Sequence, residues 1–244
     1  MDASKILMEQ PLVKKYARTY EETYTFTPCK ILWYALSSDL EFTYVPDGCE
    51  EILIHMIDGI PHCEFLHKDG PIPVRCPGET IYGIRIQPGY FLDCAPVAVE
   101  GIMTVILMEV CHYSFMEPGL IMQELYDRLR FLIHSQSGHP AYRSIVSSIM
   151  ESAGRKTVEE IAAEWGYTER HIYNLFKEAN GAGAKSLCRY IRFQNALKGM
   201  IDDPNLCNSS YIENLSYSDQ AHFQREFKSF AGMTPKQFLK ILRS

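Results

Sequence analysis

The sequence predicts an α+β protein in two parts. An N-terminal β-barrel or sandwich-like domain with following helices precedes an all-α domain of tandem helix-turn-helix units. Three observations predict this. Short β-branched and aromatic runs, separated by Pro, Gly and Asp turns, fill residues 29–113. After Pro118-Gly119 the apolar period changes to three and four. From residue 157 a helical pattern occurs twice, offset by 50 to 51 residues. The expected division is 1–153 and 154–244.

The strands come first. Ile31–Leu36 is a short apolar run, and Glu41–Val45 leads into the turn Pro46-Asp47-Gly48. Glu51–Met56 follows, Tyr82–Ile86 ends at Pro88-Gly89, and Met103–Met108 closes the set. Alternation puts Glu51, Leu53 and His55 on one face of their strand and Ile52, Ile54 and Met56 on the other. Arg85 likewise lies opposite Ile84 and Ile86. Inside a small barrel, Glu51, His55 and Arg85 would anchor a small effector; outside it, they would be a solvated face.

Two amphipathic helices are next. Ile121, Leu125, Leu129, Leu132 and Ile133 form one stripe, within a segment 119–134. Ile145, Val146 and Ile149 form another between Pro140 and Ser152. The first stripe is either core or a homodimer contact. Ala153-Gly154-Arg155-Lys156 reads as a hinge.

Composition bounds the function. Of 244 residues, 46% are hydrophobic and 22% charged, enough for a proper core. The formal net charge of −6 argues against a nucleic-acid binder if taken whole. It is unevenly spread, however. Residues 1–150 hold 11 Lys+Arg against 19 Asp+Glu, net −8, whereas 165–244 hold 11 against 7, net +4. The two halves therefore have different partners. Residues 1–20 carry no apolar run of signal-peptide length, and Ile102–Met108 is far shorter than the ~20 residues of a spanning helix. The chain reads as cytoplasmic, with no membrane partner. Its eight cysteines include no C-x-x-C pair. They read as free thiols packed like small hydrophobes. A metal or redox sensor would draw on His62, Cys63, His67, Cys111 or His112, which lack a recognised ligand spacing. No cofactor, metal or catalytic residue is expected.

The repeat is the most informative feature. Phe176-Lys177 recurs as Phe227-Lys228, Gly181 as Gly232, Lys185 as Lys236 and Tyr167 as Tyr217. Thr157 caps a helix carrying Val158, Ile161, Ala162 and Trp165, with Glu160 completing a capping box. Gly166 stops it in the left-handed region. Thr168 caps the next helix, whose apolar face is Ile172, Leu175 and Phe176. This is a helix-turn-helix, in which the second helix enters the major groove. The units are expected over 157–177 and 208–228, joined by a linker helix.

These residues resemble the DNA-binding domain of the AraC family of bacterial transcription regulators. The resemblance rests on Ile161-Ala162-x-x-x-Gly166-Tyr167-Thr168-x-x-x-Ile172-x-x-x-Phe176-Lys177 and on Tyr217-Ser218-Asp219-Gln220-Ala221-His222-Phe223-x-Arg225-x-Phe227-Lys228. Gly232-Met233-Thr234-Pro235 and the linker signature Arg192–Ala196 extend it to about 80 residues. Trp33, Pro46-Asp47-Gly48 with Glu51-Ile52-Leu53, and the Gly83–Gly89 segment resemble an N-terminal domain of one branch of that family.

The resemblance implies base readers at Arg170, Tyr173 and Asn174 in the first unit, and at Gln220, Ala221, Gln224 and Arg225 in the second. Their chemistry suits the role. Arg pairs with guanine, Asn and Gln with adenine, and Ala touches a thymine methyl. Thr168, Lys177, Lys228 and Lys236 are assigned to phosphates, which set register. Arg225 has a competing structural role, an ion pair with Asp219 or Glu226. Against the family pattern, Ser216 replaces a turn glycine, Ile212 stands where a small residue packs, and Gly183-Ala184 replaces Ser/Thr-Pro. The implied function is a sequence-specific, double-stranded-DNA-binding transcription regulator. Its N-terminal domain would respond to a small effector, with homodimerisation and RNA polymerase contact as compatible partners. The competing functions are a cupin-like metal enzyme fused to a DNA module, and a protein-interaction adaptor whose second unit no longer binds DNA.

Overall fold

Sheet, helices and a tandem helical domain follow one another in the computed structural model. It describes residues 10, 20–26, 29–37, 41–66, 69–75, 80–110, 118–135, 139–203 and 209–243. Five antiparallel strands form one sheet. They are β1 (Tyr20–Phe26), β2 (Cys29–Ser37), β4 (Glu50–Ile57), β5 (Ile60–Leu66) and β7 (Thr80–Ile86), in the order β1-β2-β7-β4-β5. Two short pairs accompany it. β3 (Glu41–Tyr44) pairs with β6 (Ile72–Arg75), and β8 (Tyr90–Leu92) with β9 (Ile133–Ser135). The sheet is open, with β1 and β5 as its edges, so the expected barrel does not close. The hairpin β4–β5 turns on Asp58 and Gly59, both at positive φ (51° and 77°), as a tight two-residue loop requires.

One face of the sheet carries Ile52, Ile54, Tyr82, Ile84 and Ile86. It packs against two helices, α1 (Pro96–Val110) and α2 (Pro118–Leu129). Here Met103–Met108 departs from expectation, since it is helical and not a strand. The physical reason is its burial. Val99, Met103 and Ile106 face the sheet at helical spacing, while Val97, Val105 and Met108 are exposed. A nearly continuous apolar run hides that period. The stripe Ile121, Leu125 and Leu129 is buried in this same core. It is therefore used within the chain, leaving Leu120 and Phe131 as exposed apolar side chains among the described residues of that segment.

The other face of the sheet is covered at its centre, on β4 and β7, while His62 and Glu64 of β5 stay exposed. Glu51 and Arg85, directly opposite one another on β4 and β7, are 1% and 4% exposed. Arg85 donates to Asp47, and its Nε lies 3.5 Å from Glu51 Oε2. The Asp47 carboxylate also accepts from Gln10 Nε2 at 2.9 Å and from the Cys49 amide at 2.9 Å. Gln10 further bridges both backbone groups of Val45 at 2.8 Å. Asp47 thus fixes the Pro46-Asp47-Gly48 turn over the back of the sheet.

The remaining helices are α3 (Ala141–Glu151), α4 (Val158–Trp165), α5 (Glu169–Asn180), α6 (Ala184–Asp202), α7 (Ser209–Asn214), α8 (Gln220–Ala231) and α9 (Pro235–Arg243). They enclose two cores. α3 contributes Tyr142, Ile145, Val146 and Ile149 to the first, with Ile161, Ile172 and Phe176. The second gathers Phe193, Leu197, Ile212, Phe223, Phe227 and Phe238. Ile212 is fully enclosed there, so its bulk is accommodated.

The expected hinge is a wedged corner. Gly154 has φ +70° and is buried, and a Cβ on it would run into the Cys188 carbonyl and lie 2.6 Å from Arg192 N. Gly154→Ala is therefore expected to cost at least about 2 kcal/mol, combining left-handed strain with overpacking against α6. Urea unfolding of the variant measures it.

Candidate nucleic-acid interface

The first unit is built by local chemistry. Thr157 Oγ1 accepts from Glu160 N at 3.1 Å, and Glu160 Oε2 accepts from Thr157 N at 2.8 Å, which closes the capping box. Gly166, at φ +65°, ends α4. Thr168 Oγ1 then accepts from His171 N at 3.2 Å and starts α5. Ile172, Leu175 and Phe176 bury one face of α5 against Ile161 and Ala162. The opposite face presents Arg170, Tyr173, Asn174 and Lys177 to solvent. Tyr173 is 47% exposed, and the Arg170 guanidinium lies 5.4 Å from its ring centre. Lys177 Nζ donates to Gly181 O at 2.8 Å, so it rests on the carbonyl end of α5.

The second unit repeats the design with different residues. Ser216 adopts φ +61° where the first unit has glycine. Asp219 caps α8 by accepting from His222 N at 2.6 Å, and that bond holds its carboxyl below the usual range. Phe223 and Phe227 face the core, whereas Gln220, Ala221, Gln224, Arg225 and Lys228 are exposed. Lys236 is exposed at the start of α9. Glu226 is not Arg225's partner. Its buried carboxylate receives Arg189 Nε at 2.7 Å and Arg192 Nη2 at 3.3 Å, both from α6. Arg225 is thereby left on the exposed face, where its charge helps hold the Asp219 carboxyl down.

Between the two exposed stripes lies a cleft of about 1050 Å³. Its cations are Arg155, Lys156, Arg170, Lys185, Arg189 and Arg192. Its anions are Glu159, Glu169 and Glu226, the last already paired. Sequence reasoning missed this set because four separate segments supply it. The one available signal was Lys185, Arg189 and Arg192 at helical spacing on the linker. Two arginines fastened to a buried carboxylate are pre-positioned donors, suited to phosphate oxygens.

The other expected site residues lie apart from this surface. Arg85 is engaged with both Asp47 and Glu51, as described, while half-buried His55 has its Nε2 3.6 Å from Glu64. Among the described residues, no three His, Cys, Asp or Glu side chains gather as a metal site. His67, Cys111 and His112 fall outside the described residues. Burial pushes the Cys63 thiol up to about 12 and the Cys188 thiol up to about 11, so both stay protonated at neutral pH. Among the described residues, no helix is long and apolar enough to cross a membrane.

Residues 161–241 match a family described as a helix-turn-helix domain. Over 153 residues the chain is 23% identical to the Msm operon regulatory protein of Streptococcus mutans. That alignment covers 58% of this chain and 55% of the relative, so the chain spans about half the length of the curated protein it matches. Two solved structures of ToxT from Vibrio cholerae align over 88% and 89% of this chain, each at 11% identity, with TM-scores of 0.44 and 0.46. A third ToxT structure, at TM-score 0.43 and 11% identity, covers 90% of this chain and 97% of that one, and holds an unsaturated fatty acid.

Two substitutions separate the roles on this surface. Arg225→Ala should cost about 1–3 kcal/mol of DNA affinity and relax one base position. Lys185→Ala should weaken all sequences alike and lower the salt slope by about 1. Gel shifts on matched and scrambled duplexes, across a salt series, measure both.

Proposed function

We propose, from the premise that residues 161–241 are an AraC-type helix-turn-helix domain, that the chain is a sequence-specific DNA-binding transcription regulator. Both units of one chain read successive major grooves on one duplex face, about 34 Å apart. A single observation carries this reading. Two capped helices present polar stripes from a shared linker helix, and a cationic cleft lies between them. Bases are read by the stripes, and the cleft receives the phosphate strand between the grooves.

Charge supports a division of labour. The acidic first part repels duplex, and the modest positive charge after residue 165 makes binding depend on base contacts as well as phosphates. The first part senses a small effector in this reading. Glu51 and Arg85 serve the fold there, because an effector would have to displace Asp47 from Arg85. His55 remains the candidate on that sheet. Pairing of two chains and contact with RNA polymerase complete the proposal, with the cytoplasm as its place of action. Neither the cupin-like enzyme nor the adaptor gains support from a particular contact.

Selection of bound fragments from random duplex DNA, at 0.1 M salt, tests the function. The expected product is a motif of two elements one helical turn apart. Absence of any enriched motif would remove the regulator reading.

A further inference from the structure

We infer that the Val45–Cys49 turn of the sensor is a built-in part of the second DNA-reading unit and holds that unit in register with the first. This rests on the proposed two-groove reading, but its structural half is independent of DNA.

Val45, 1% exposed, belongs to the core of the second unit, among Phe193, Leu197, Phe227 and Phe238. No other residue from the sensor's described strands and turns is buried in that core. Gln194, on the linker helix α6 and equally buried, donates its Nε2 to Pro46 O at 2.9 Å. Losing that donor would leave an enclosed carbonyl without this bond. Gly48, at φ +78°, brings the turn so close that a Cβ would lie 2.6 Å from Leu187 Cδ1 of α6. A second sensor loop grips the same unit. Tyr190 of α6 donates its hydroxyl to Asp69 Oδ1 at 2.7 Å, Gly70 lies by Ser229 O, and Pro71 lies by Gly232 at the end of α8. Burial and Asp69 together push the Tyr190 phenol up, so it remains a donor.

α3, which shares the first unit's core, is gripped separately. Gly89 lies against Val146 of α3, and the Arg143 guanidinium is 4.9 Å from the Tyr90 ring centre. The sensor's turns and short strand β8 therefore touch both the second unit and α3, which completes the first unit's core. Arg85 and Glu51 sit in mid-sheet and fix Asp47, so a change in the sheet reaches Pro46 O and then Gln194. Every base-reading side chain named above stays exposed while the turn is docked. Docking therefore positions the second unit and does not cover it.

The full-length chain tests this with Gln194→Ala, Asp47→Asn and the milder Tyr190→Phe, which removes one hydroxyl. Amide hydrogen exchange is followed along α6 and α8. Affinity is measured on the duplex selected by the wild type and on one retaining only the first unit's element. The inference expects about tenfold faster exchange of α8 in Gln194→Ala, the equivalent of one lost buried hydrogen bond. It also expects about tenfold weaker binding to the two-element duplex and binding within twofold on the single-element duplex. Tyr190→Phe shifts both in the same direction by less. Unchanged exchange in all three variants overturns the inference, as does tighter binding by any of them. If the wild type selects no DNA, the proposed function fails and the exchange result alone decides this one.

Discussion

The burial of one helix constrains everything else. α6 is enclosed on nearly its whole circumference, from Ala184, Leu187 and Cys188 through Phe193 and Gln194 to Met200. Its first half completes the core of the first unit and its second half that of the second. A helix shared by both cores cannot roll without breaking them, because interiors are close-packed. Helices α5 and α8, the proposed readers, are consequently one body, and their separation is a property of α6. The small residues beside it follow from this. Gly154 must be glycine for the chain to pass over Cys188, and Gly199 for Tyr211 to lie on α6.

Electrostatics builds on that frame. Glu226 is a carboxylate inside the second unit, acceptable because two linker arginines meet it. The same pairing brings those arginines to the cleft, so one buried charge both ties α8 to α6 and sets guanidinium groups along the cleft. In the N-terminal part, Arg85 stands between Asp47 and Glu51 and organises a turn. Both clusters are buried charges used to fix geometry where one layer meets the next. The acidic total of the chain accordingly says little about its reading surface.

The sequence revealed what depends on short range. The Thr157–Glu160 box, the Gly166 stop, the Thr168 cap and the strained Ser216 were legible because each involves neighbours within a turn. Four of the nine described strands, β2, β3, β4 and β7, were legible too, but not the sheet's back face. Alternation marked Glu51 and Arg85 as solvent or ligand groups, whereas a turn and the helical domain cover them. Met103–Met108 misled because apolar residues on nearly all sides of a helix mimic a buried strand. β1, β5, β6, β8 and β9 escaped notice, although Asp58-Gly59 was a hairpin signal for β5. Of the cleft, only the linker cations Lys185, Arg189 and Arg192 left a signal, since its cations come from three segments that the fold brings together.

The central claim is that α6 presents two readers as a single rigid unit. Hydroxyl-radical footprinting of the full-length chain on its selected duplex tests it most directly. Two protected stretches on one face, about 10 base pairs apart, are the predicted result. A single protected stretch at saturating protein would contradict the account.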